Sequence, residues 1–490
     1  MVISALTNRL LISVLGVLLL RLLAPLFHST RKREWLFLIA SYLFYVNWGR
    51  WFLAVLLFSS IINYALGNYL RQRLTPARLW LGIGCNLLIL GFFKYLPLVG
   101  TISAHNAAPG WVSRIALPLG ISFWTFQAIS YLLDLYREEE LNPSLLEFCL
   151  YMAFWPTVLS GPICRLPEML PQFRHPTNFS GKDIGQGIQR ILTGIFMMAI
   201  SQLLAVGIAP GQGVDAGFAS PANLLGGLDV WCLAIGYGLQ LFFNFAGYSH
   251  LVIGAALLFN IRLQENFNRP FLSTSPSMFW MRWHMSLSFW IRDYVFFPLA
   301  TLRREVWWRN LSLVIAMFVF GLWHKGELLL AFYGIYHGLL LVAHRTWQQL
   351  TKRLNFESPQ PFPLALLSWL YTFGAVSLGW IFFRAETKAQ AMAMFTAVLS
   401  PTSYRHIALS ANFYVLTIVL LIAYFMVVAL SALLDSIEMR RQAATSGMSW
   451  TLVRDRWVWV VPAVAVLSLY IFLVLHPQGP LVGPMMYQIF

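Results

Sequence analysis

Two histidines, His324 and His284, are the residues of this chain best placed to carry chemistry. His324 ends the run Phe-Gly-Leu-Trp-His, with one long apolar stretch before it and another after Glu327. His284 ends the equally aromatic run Trp-Met-Arg-Trp-His. An imidazole at membrane depth can accept and donate protons near neutral pH, where few other groups can. We predict both as catalytic candidates, with packing inside a helix bundle as the alternative.

A third histidine, His337, follows His324 by thirteen residues. On an unbroken helix this spacing places the two about 20 Å apart and on different faces. They can meet only if the chain bends at Gly326 or Gly334, so we predict a structural role for His337.

Two acidic residues, Asp134 and Asp293, lie beside apolar segments. We interpret them as ion-pair partners of Arg137 and Arg292 at the membrane interface. The alternative is that one of them orients an imidazole, as the carboxylate of a catalytic triad does.

Other reaction types find little support in the sequence. It contains neither a phosphate-binding Gly-x-x-x-x-Gly-Lys-Ser/Thr loop nor a Gly-x-Ser-x-Gly nucleophile elbow. Its four cysteines, Cys85, Cys149, Cys164 and Cys232, are widely spaced. This spacing favours neither a disulfide framework nor a metal site.

Composition defines the class of protein. Of 490 residues, 58% are hydrophobic and 11% charged, whereas soluble domains carry about 25% charged residues. The apolar windows are continuous rather than alternating, which indicates helices and not barrel strands. We therefore predict an all-α integral membrane protein, one domain over residues 1–490, with about ten to twelve crossings and re-entrant pieces. The windows are residues 3–20, 35–46, 52–70, 79–99, 115–136, 145–159, 188–208, 228–258, 285–299, 311–323, 328–344, 364–383, 413–434 and 457–475.

The net charge of +15 comes from short basic clusters that flank apolar windows. This is the pattern of cytoplasmic loops in an inner-membrane protein, and not of a nucleic-acid site. We expect residues 3–20 to be a retained first helix, since no cleavage pattern follows them. The polar, aromatic segment 262–284 is predicted to be a packed amphipathic stretch at the cytoplasmic interface.

Ordered motifs along the chain resemble those of the membrane-bound O-acyltransferases. The resemblance is to the bacterial branch with proteins of alginate O-acetylation and of D-alanine transfer to teichoic acid. The motifs are Pro-Leu-Gly-Ile-Ser-Phe-Trp at 118–124, Ser-Gly-Pro-Ile at 160–163, Phe-Asn-Phe-Ala-Gly-Tyr-Ser at 243–249, Glu-Asn-Phe-Asn at 265–268, Arg-Trp-His-Met-Ser at 282–286, Arg-Asp-Tyr at 292–294, Gly-Leu-Trp-His at 321–324 and Gly-Trp-Ile-Phe-Phe-Arg-Ala at 379–385.

The resemblance implies a helical bundle around a central funnel, with His324 as the family's catalytic histidine and His284 in the Arg-Trp-His motif. It extends the expected site to supporting residues of the same motifs. These are Trp323, Arg282, Trp283, Ser286, Asp293, Asn244 and Tyr248.

The resemblance also implies the substrates. A cytoplasmic thioester, acetyl-CoA or another acyl-CoA or an acyl carrier protein, would supply a short acyl group, with no bound cofactor. The acceptor would be an exported polysaccharide or a periplasmic SGNH-like protein. His324 would act as a base or as an acyl-carrying residue.

The chain departs from the family pattern near this site. Asn244 and His250 stand where acids are usual, and Lys325 separates His324 from the glycine that usually follows it. These changes keep alternatives open: D-alanyl transfer to a cell-envelope polymer, or a scaffold without activity. A histidine-dependent transporter is a further alternative, although the paired halves common in transporters are not evident.

Overall fold

The computed structural model describes residue 16 and residues 29–97, 115–175, 181–353 and 362–444. Within these ranges the regular structure is helical, as predicted. The α-helices are α1 (Thr30–Val46), α2 (Arg50–Gln72), α3 (Pro76–Leu90), α4 (Ile121–Tyr136), α5 (Leu145–Ala153), α6 (Leu166–Arg174), α7 (Gly181–Val206), α8 (Val214–Ala219), α9 (Gly227–Leu257), α10 (Pro276–Trp280), α11 (Met285–Ile291), α12 (Phe297–Thr301), α13 (Val306–Lys325), α14 (Leu328–Arg353), α15 (Phe362–Arg384), α16 (Lys388–Leu399) and α17 (Ala411–Ala444).

Eight helices of the described ranges are long and apolar enough to cross a membrane, so the chain is a multi-pass membrane protein. This agrees with the predicted location in the inner membrane. Residues 457–475, and all of 3–20 except Gly16, lie outside the described residues. The spans are Arg50–Gln72, Pro76–Tyr95, Asp183–Val206, Gly227–Leu257, Val306–Lys325, Leu328–Thr351, Phe362–Arg384 and Ala411–Leu430.

Several predicted windows are shorter or broken as helices. The window 115–136 becomes helical only at Ile121, because Gly120 has φ +78° and interrupts the backbone after Pro118. The window 145–159 is helical only to Ala153. The window 285–299 contains a π-helical turn at Arg292–Phe296. Hydropathy alone did not predict these breaks, since the apolar composition continues through them.

The helices group into two compact units, each made of separate stretches of sequence. The first unit contains Met1–Ile191, Val252–Glu265 and Phe289–Phe297. In it, the side chains of Asn63 on α2 and Asn86 on α3 donate to each other across 3.0 and 2.7 Å. Paired amides satisfy each other inside the membrane, where water is absent. Trp290 stacks on Phe126 with ring centroids 4.0 Å apart.

The second unit contains Leu192–Leu251, Asn266–Ser288 and Pro298–Phe490. Its central feature is an antiparallel hairpin of α13 and α14. A Cβ added at Gly321 would lie 2.1 Å from the carbonyl oxygen of Leu330, and one at Gly334 would lie 2.1 Å from that of Met317. The two backbones therefore touch, as small residues allow in membrane helix pairs.

The stretch 262–284 was predicted to be packed, and its residues 266–284, which belong to this unit, are compact. Phe271, Phe279, Trp280 and Trp283 are all buried. Phe279 and Trp283 stack with centroids 5.4 Å apart. The aromatic residues among its charges therefore serve packing.

Candidate active site

His324 occupies the last turn of α13, where the hairpin reverses. Gly326 ends the helix with φ +72°, and its N–H donates to the carbonyl of Leu322. His324 is 3% exposed. The ring of Phe320, one helical turn earlier, meets the imidazole edge to face at 5.0 Å between centroids. The turn thus fixes the imidazole at the buried C-terminal end of α13.

His284 lies in the short connection between α10 and α11 and is 1% exposed. Its φ of +44° falls in the left-handed region, which costs a non-glycine residue about 1–2 kcal/mol. Its carbonyl accepts from the N–H of Ser288 and so starts α11. The ring of Phe245 on α9 packs against the imidazole at 4.6 Å between centroids. Such strain persists only where neighbouring groups hold the backbone.

The two histidines line one pocket of the second unit, which brings together residues 40 positions apart in sequence. The free space between the lining side chains is about that of one water molecule. The walls are almost entirely apolar apart from the two imidazoles and one phenol. The lining residues are Leu241, Phe245, Trp283, His284, Phe320, His324, Tyr333, Trp380 and Phe383.

The walls of the pocket are locked by ring contacts. Trp380 lies 4.9 Å from Trp283 and 5.8 Å from Tyr333, between centroids. Phe383 lies 5.1 Å from Tyr333. Each of these rings packs against its neighbours, and an apolar site strengthens any polar interaction inside it.

The other predicted site residues of this unit surround the pocket rather than line it, except Trp283. Trp323 is buried, with its ring 4.9 Å from that of His324. Ser286 hydrogen-bonds to Asn266. The backbone carbonyl of Arg282 accepts from Asn268.

Asn244 and Tyr248 are both buried on α9. Asn244 precedes the pocket residue Phe245, and Tyr248 follows it by three positions, almost one helical turn. The helical spacing of α9 therefore places both beside the pocket wall.

Asp293 has a different environment, in the first unit. Its carboxylate accepts from Arg165 and Arg292, each at 2.7 Å. The interpretation as an ion-pair partner of Arg292 fits this geometry. The predicted ion pair of Asp134 with Arg137 is wrong: Asp134 accepts from the hydroxyl of Tyr294 at 2.7 Å, and Arg137 donates to the backbone carbonyl of Asp293 at 2.8 Å.

His337 is fully buried on α14, among Phe279, Trp280 and Tyr333. A Cβ on Gly338 would lie 2.8 Å from the Cα of Val314. His337 therefore lies level with α13 residues more than two turns before His324. This placement supports packing as its role.

Sequence reasoning missed part of the pocket wall. Phe320 could have been recognised as a neighbour of His324, because it precedes His324 by four residues on one helix. Leu241 and Tyr333 gave no such signal, since only the tertiary fold brings α9 and α14 to the pocket. Among the described residues, no group of three His, Cys, Asp or Glu side chains could hold a metal ion.

A multi-pass helical protein with two imidazoles in one buried, largely apolar pocket is suited to proton-coupled group transfer inside a membrane. The profile described as "MBOAT, membrane-bound O-acyltransferase family" matches residues 50–385. The chain belongs to this family and is an acyltransferase.

Three relatives illustrate the range of the family. A probable alginate O-acetylase AlgI of Azotobacter vinelandii is 34% identical over 76% of this chain and 73% of its own length. A peptidoglycan O-acetyltransferase of Helicobacter pylori is 32% identical over 82% and 80%. A teichoic acid D-alanyltransferase of Streptococcus thermophilus is 32% identical over 60% and 74%. The resemblance to both bacterial branches is thereby confirmed.

Proposed function

We propose that the protein transfers an acetyl or similar short acyl group from a cytoplasmic thioester to a hydroxyl of an exported polysaccharide, or of a periplasmic SGNH-like acceptor protein. The donor is acetyl-CoA, another acyl-CoA or an acyl carrier protein, and no bound cofactor takes part. The observation that carries the proposal is the common pocket of His324 and His284.

His324 takes the central role in this proposal. Its imidazole removes the proton of the acceptor hydroxyl as the oxygen attacks the thioester carbonyl. The carbon–sulfur bond then breaks, and the imidazolium returns the proton to the departing thiolate. The carbonyl end of a helix favours a positive charge, which suits a group that becomes an imidazolium in the last turn of α13. In the covalent variant, the imidazole itself carries the acyl group between donor and acceptor.

His284 supports the reaction as a neutral group. Burial lowers the pKa of His284 to about 3, and this residue lies outside the eight candidate spans. A neutral imidazole donates one hydrogen bond and accepts another, so it can stabilise the oxyanion formed on the acyl carbonyl. In this proposal His324 therefore accepts the proton, and His284 donates a hydrogen bond.

The acyl group is proposed to be short because the free space is small. A group of the size of acetyl needs only small side-chain movements in a pocket with room for about one water molecule. A long chain would have to displace the interlocked aromatic rings. The relatives named as acetylases also cover more of this chain, 76% and 82%, than the D-alanyltransferase, 60%.

The test uses the purified protein in proteoliposomes with acetyl-CoA labelled on the acetyl group. Alginate lacking O-acetyl groups and peptidoglycan fragments serve as acceptors. We expect labelled acceptor with the wild type and a loss of at least a hundredfold with His324→Ala, the usual order for a general base. A D-alanyl carrier-protein thioester replaces acetyl-CoA in a parallel reaction.

The matched control is His344→Ala, because His344 is a partly exposed histidine of α14 that does not line the pocket. This variant is expected to retain wild-type transfer. Wild-type rates in His324→Ala would refute the assignment of His324. Transport of a solute by the wild type without any acyl transfer would favour the transporter instead.

A further inference from the structure

The loop residue Asn266 makes a set of hydrogen bonds around His284. Its side chain is fully buried. The Oδ1 atom accepts from the hydroxyl of Ser286 at 2.7 Å and from the Ser286 N–H at 3.4 Å. The Nδ2 group donates to the hydroxyl of Ser249 at 3.1 Å. One amide therefore ties α9 to the start of α11.

Two backbone hydrogen bonds, one of them to Asn266, complete the arrangement. The carbonyl of Asn266 accepts from the N–H of Met285 at 2.9 Å, and the N–H of Asn268 donates to the carbonyl of Arg282 at 3.0 Å. These bonds grip the chain on both sides of His284. The bonds from the N–H groups of Met285 and Ser286 to Asn266 satisfy two of the donors that the start of α11 leaves without an intrahelical partner.

These hydrogen bonds surround His284, the strained residue of the loop. His284 has φ +44°, a conformation that a non-glycine residue keeps only when its surroundings impose it. The bonds from Asn266 reach the two residues immediately after His284, where a relaxation of φ would move the chain. Removal of the Asn266 side chain would therefore change the orientation of the His284 imidazole while the rest of the unit stays folded.

We infer that Asn266 is a positioning residue of the acyl transfer reaction. It holds His284 in the left-handed conformation that aims the imidazole into the pocket shared with His324, an inference that rests on the proposed function. Asn266 itself does not line the pocket, so its action is indirect. Residues that orient a catalytic side chain commonly influence the rate strongly, because small displacements of reacting groups slow the reaction.

The decisive variant is Asn266→Ala, with Asn268→Ala as its matched control. Asn268 is the same residue type two positions later, but its side chain is exposed. We expect kcat for acetyl transfer from acetyl-CoA to fall roughly tenfold to a hundredfold in Asn266→Ala, with KM for acetyl-CoA unchanged. The Asn268→Ala protein should match the wild type in both constants.

A second measurement does not depend on activity. Hydrogen exchange of the peptide with the amides of Met285, Ser286 and Ser288 should accelerate about tenfold in Asn266→Ala. The Ser286 amide loses its acceptor, and the bonds of the Met285 and Ser288 amides to backbone carbonyls lose the side chain that holds their geometry. Peptides of α13 and α14 should exchange as in the wild type. A merely structural role would accelerate exchange throughout the unit and lower the melting temperature to match.

Two outcomes overturn the inference. One is wild-type kcat in a folded Asn266→Ala protein, and the other is unchanged exchange at residues 285–288. A milder variant tests the hydrogen bonds separately. Ser249→Ala removes only the acceptor of the Asn266 Nδ2 group, so its kcat should fall less than that of Asn266→Ala. If the wild type transfers no acyl group, the proposed function fails, and the exchange experiment still decides whether Asn266 holds the His284 loop.

Discussion

The ring of Phe383 meets the imidazole of His324 edge to face, with centroids 5.1 Å apart and planes inclined by 73°. Phe383 ends a series of buried residues on α15 that includes Trp380. Since Phe383 also contacts Tyr333, it forms part of the apolar wall of the pocket beside His324. An enzyme that handles an activated thioester needs such a wall, because water competes with the acceptor hydroxyl.

A Phe383→Leu protein is expected to hydrolyse the acyl donor faster in the absence of acceptor. The smaller side chain opens space beside His324 and admits water, while the cost in stability stays near 1–2 kcal/mol because the site remains apolar. Release of free acetate from labelled acetyl-CoA measures the effect. Phe382→Leu is the control, because Phe382 packs on Phe395 and does not line the pocket. Equal acetate release by both variants would contradict this role of Phe383.

A Gly321→Ala substitution is expected to separate α13 from α14 and to reduce acyl transfer. The new Cβ would lie 2.1 Å from a backbone oxygen, and a backbone cannot yield as a flexible side chain can. Overpacking of this kind costs about 1–3 kcal/mol, and it shifts the turn that carries His324. Melting temperature in detergent and the transfer rate check the expectation. Gly84→Ala on α3, where no atom lies within 4 Å of the new Cβ, should be neutral or slightly stabilising.

The sequence was sufficient to predict much of this organisation. Continuous apolar windows predicted the helices. Gly326 and Gly334 were the two possible bend points, and the bend between α13 and α14 is at Gly326. The setting of His324 and His284 in aromatic motifs was enough to name both as candidates. These are local signals, because helix periodicity, turn-forming glycine and motif spacing all act over a few residues.

The convergence of distant segments was not predictable in the same way. Leu241, Tyr333 and Trp380 belong to three helices, and only tertiary packing places them in one pocket. Asn266 appeared in a quoted motif, yet its bonds to Ser249 and Ser286 depend on the fold of the loop. Asp293 illustrates the converse: proximity to Arg292 in sequence correctly indicated an ion pair.

Asp229 is expected to be a structural carboxylate whose neutralisation destabilises the second unit. It is fully buried, and it accepts from the N–H groups of Gly226, Ala408 and Leu409 and from the hydroxyl of Tyr414. In Asp229→Asn, an amide N–H₂ would face these donors. Breaking bonds to a buried charge costs about 2–5 kcal/mol.

The melting temperature of the Asp229→Asn protein should therefore fall by several degrees. Asp215→Asn is the matched control, since the Asp215 side chain is 57% exposed and pairs with Arg384 at 3.2 Å. An exposed pair contributes little, so this variant should melt like the wild type. Equal melting temperatures for the two variants would show that the Asp229 bonds are dispensable.

A His284→Asn protein is expected to be less sensitive to acid than the wild type. Burial lowers the pKa of His284 to about 3 in the folded protein, from about 6.5 in an unfolded chain. Below pH 6.5 the unfolded state therefore binds a proton that the folded state does not, and stability falls as the pH drops towards 3. Asparagine adopts positive φ readily, so the variant keeps the loop conformation without the titration.

The measurement is the melting temperature of wild type and His284→Asn in detergent at intervals from pH 7.5 to pH 4.5. The two curves should run in parallel above pH 7 and separate below about pH 6.5, where one proton contributes up to about 1.4 kcal/mol per pH unit. His406→Asn serves as the control for loss of an exposed histidine outside the pocket. Curves that stay parallel down to pH 4.5 would mean that His284 accepts a proton in the folded protein, and its role as a neutral hydrogen-bonding group would then be wrong.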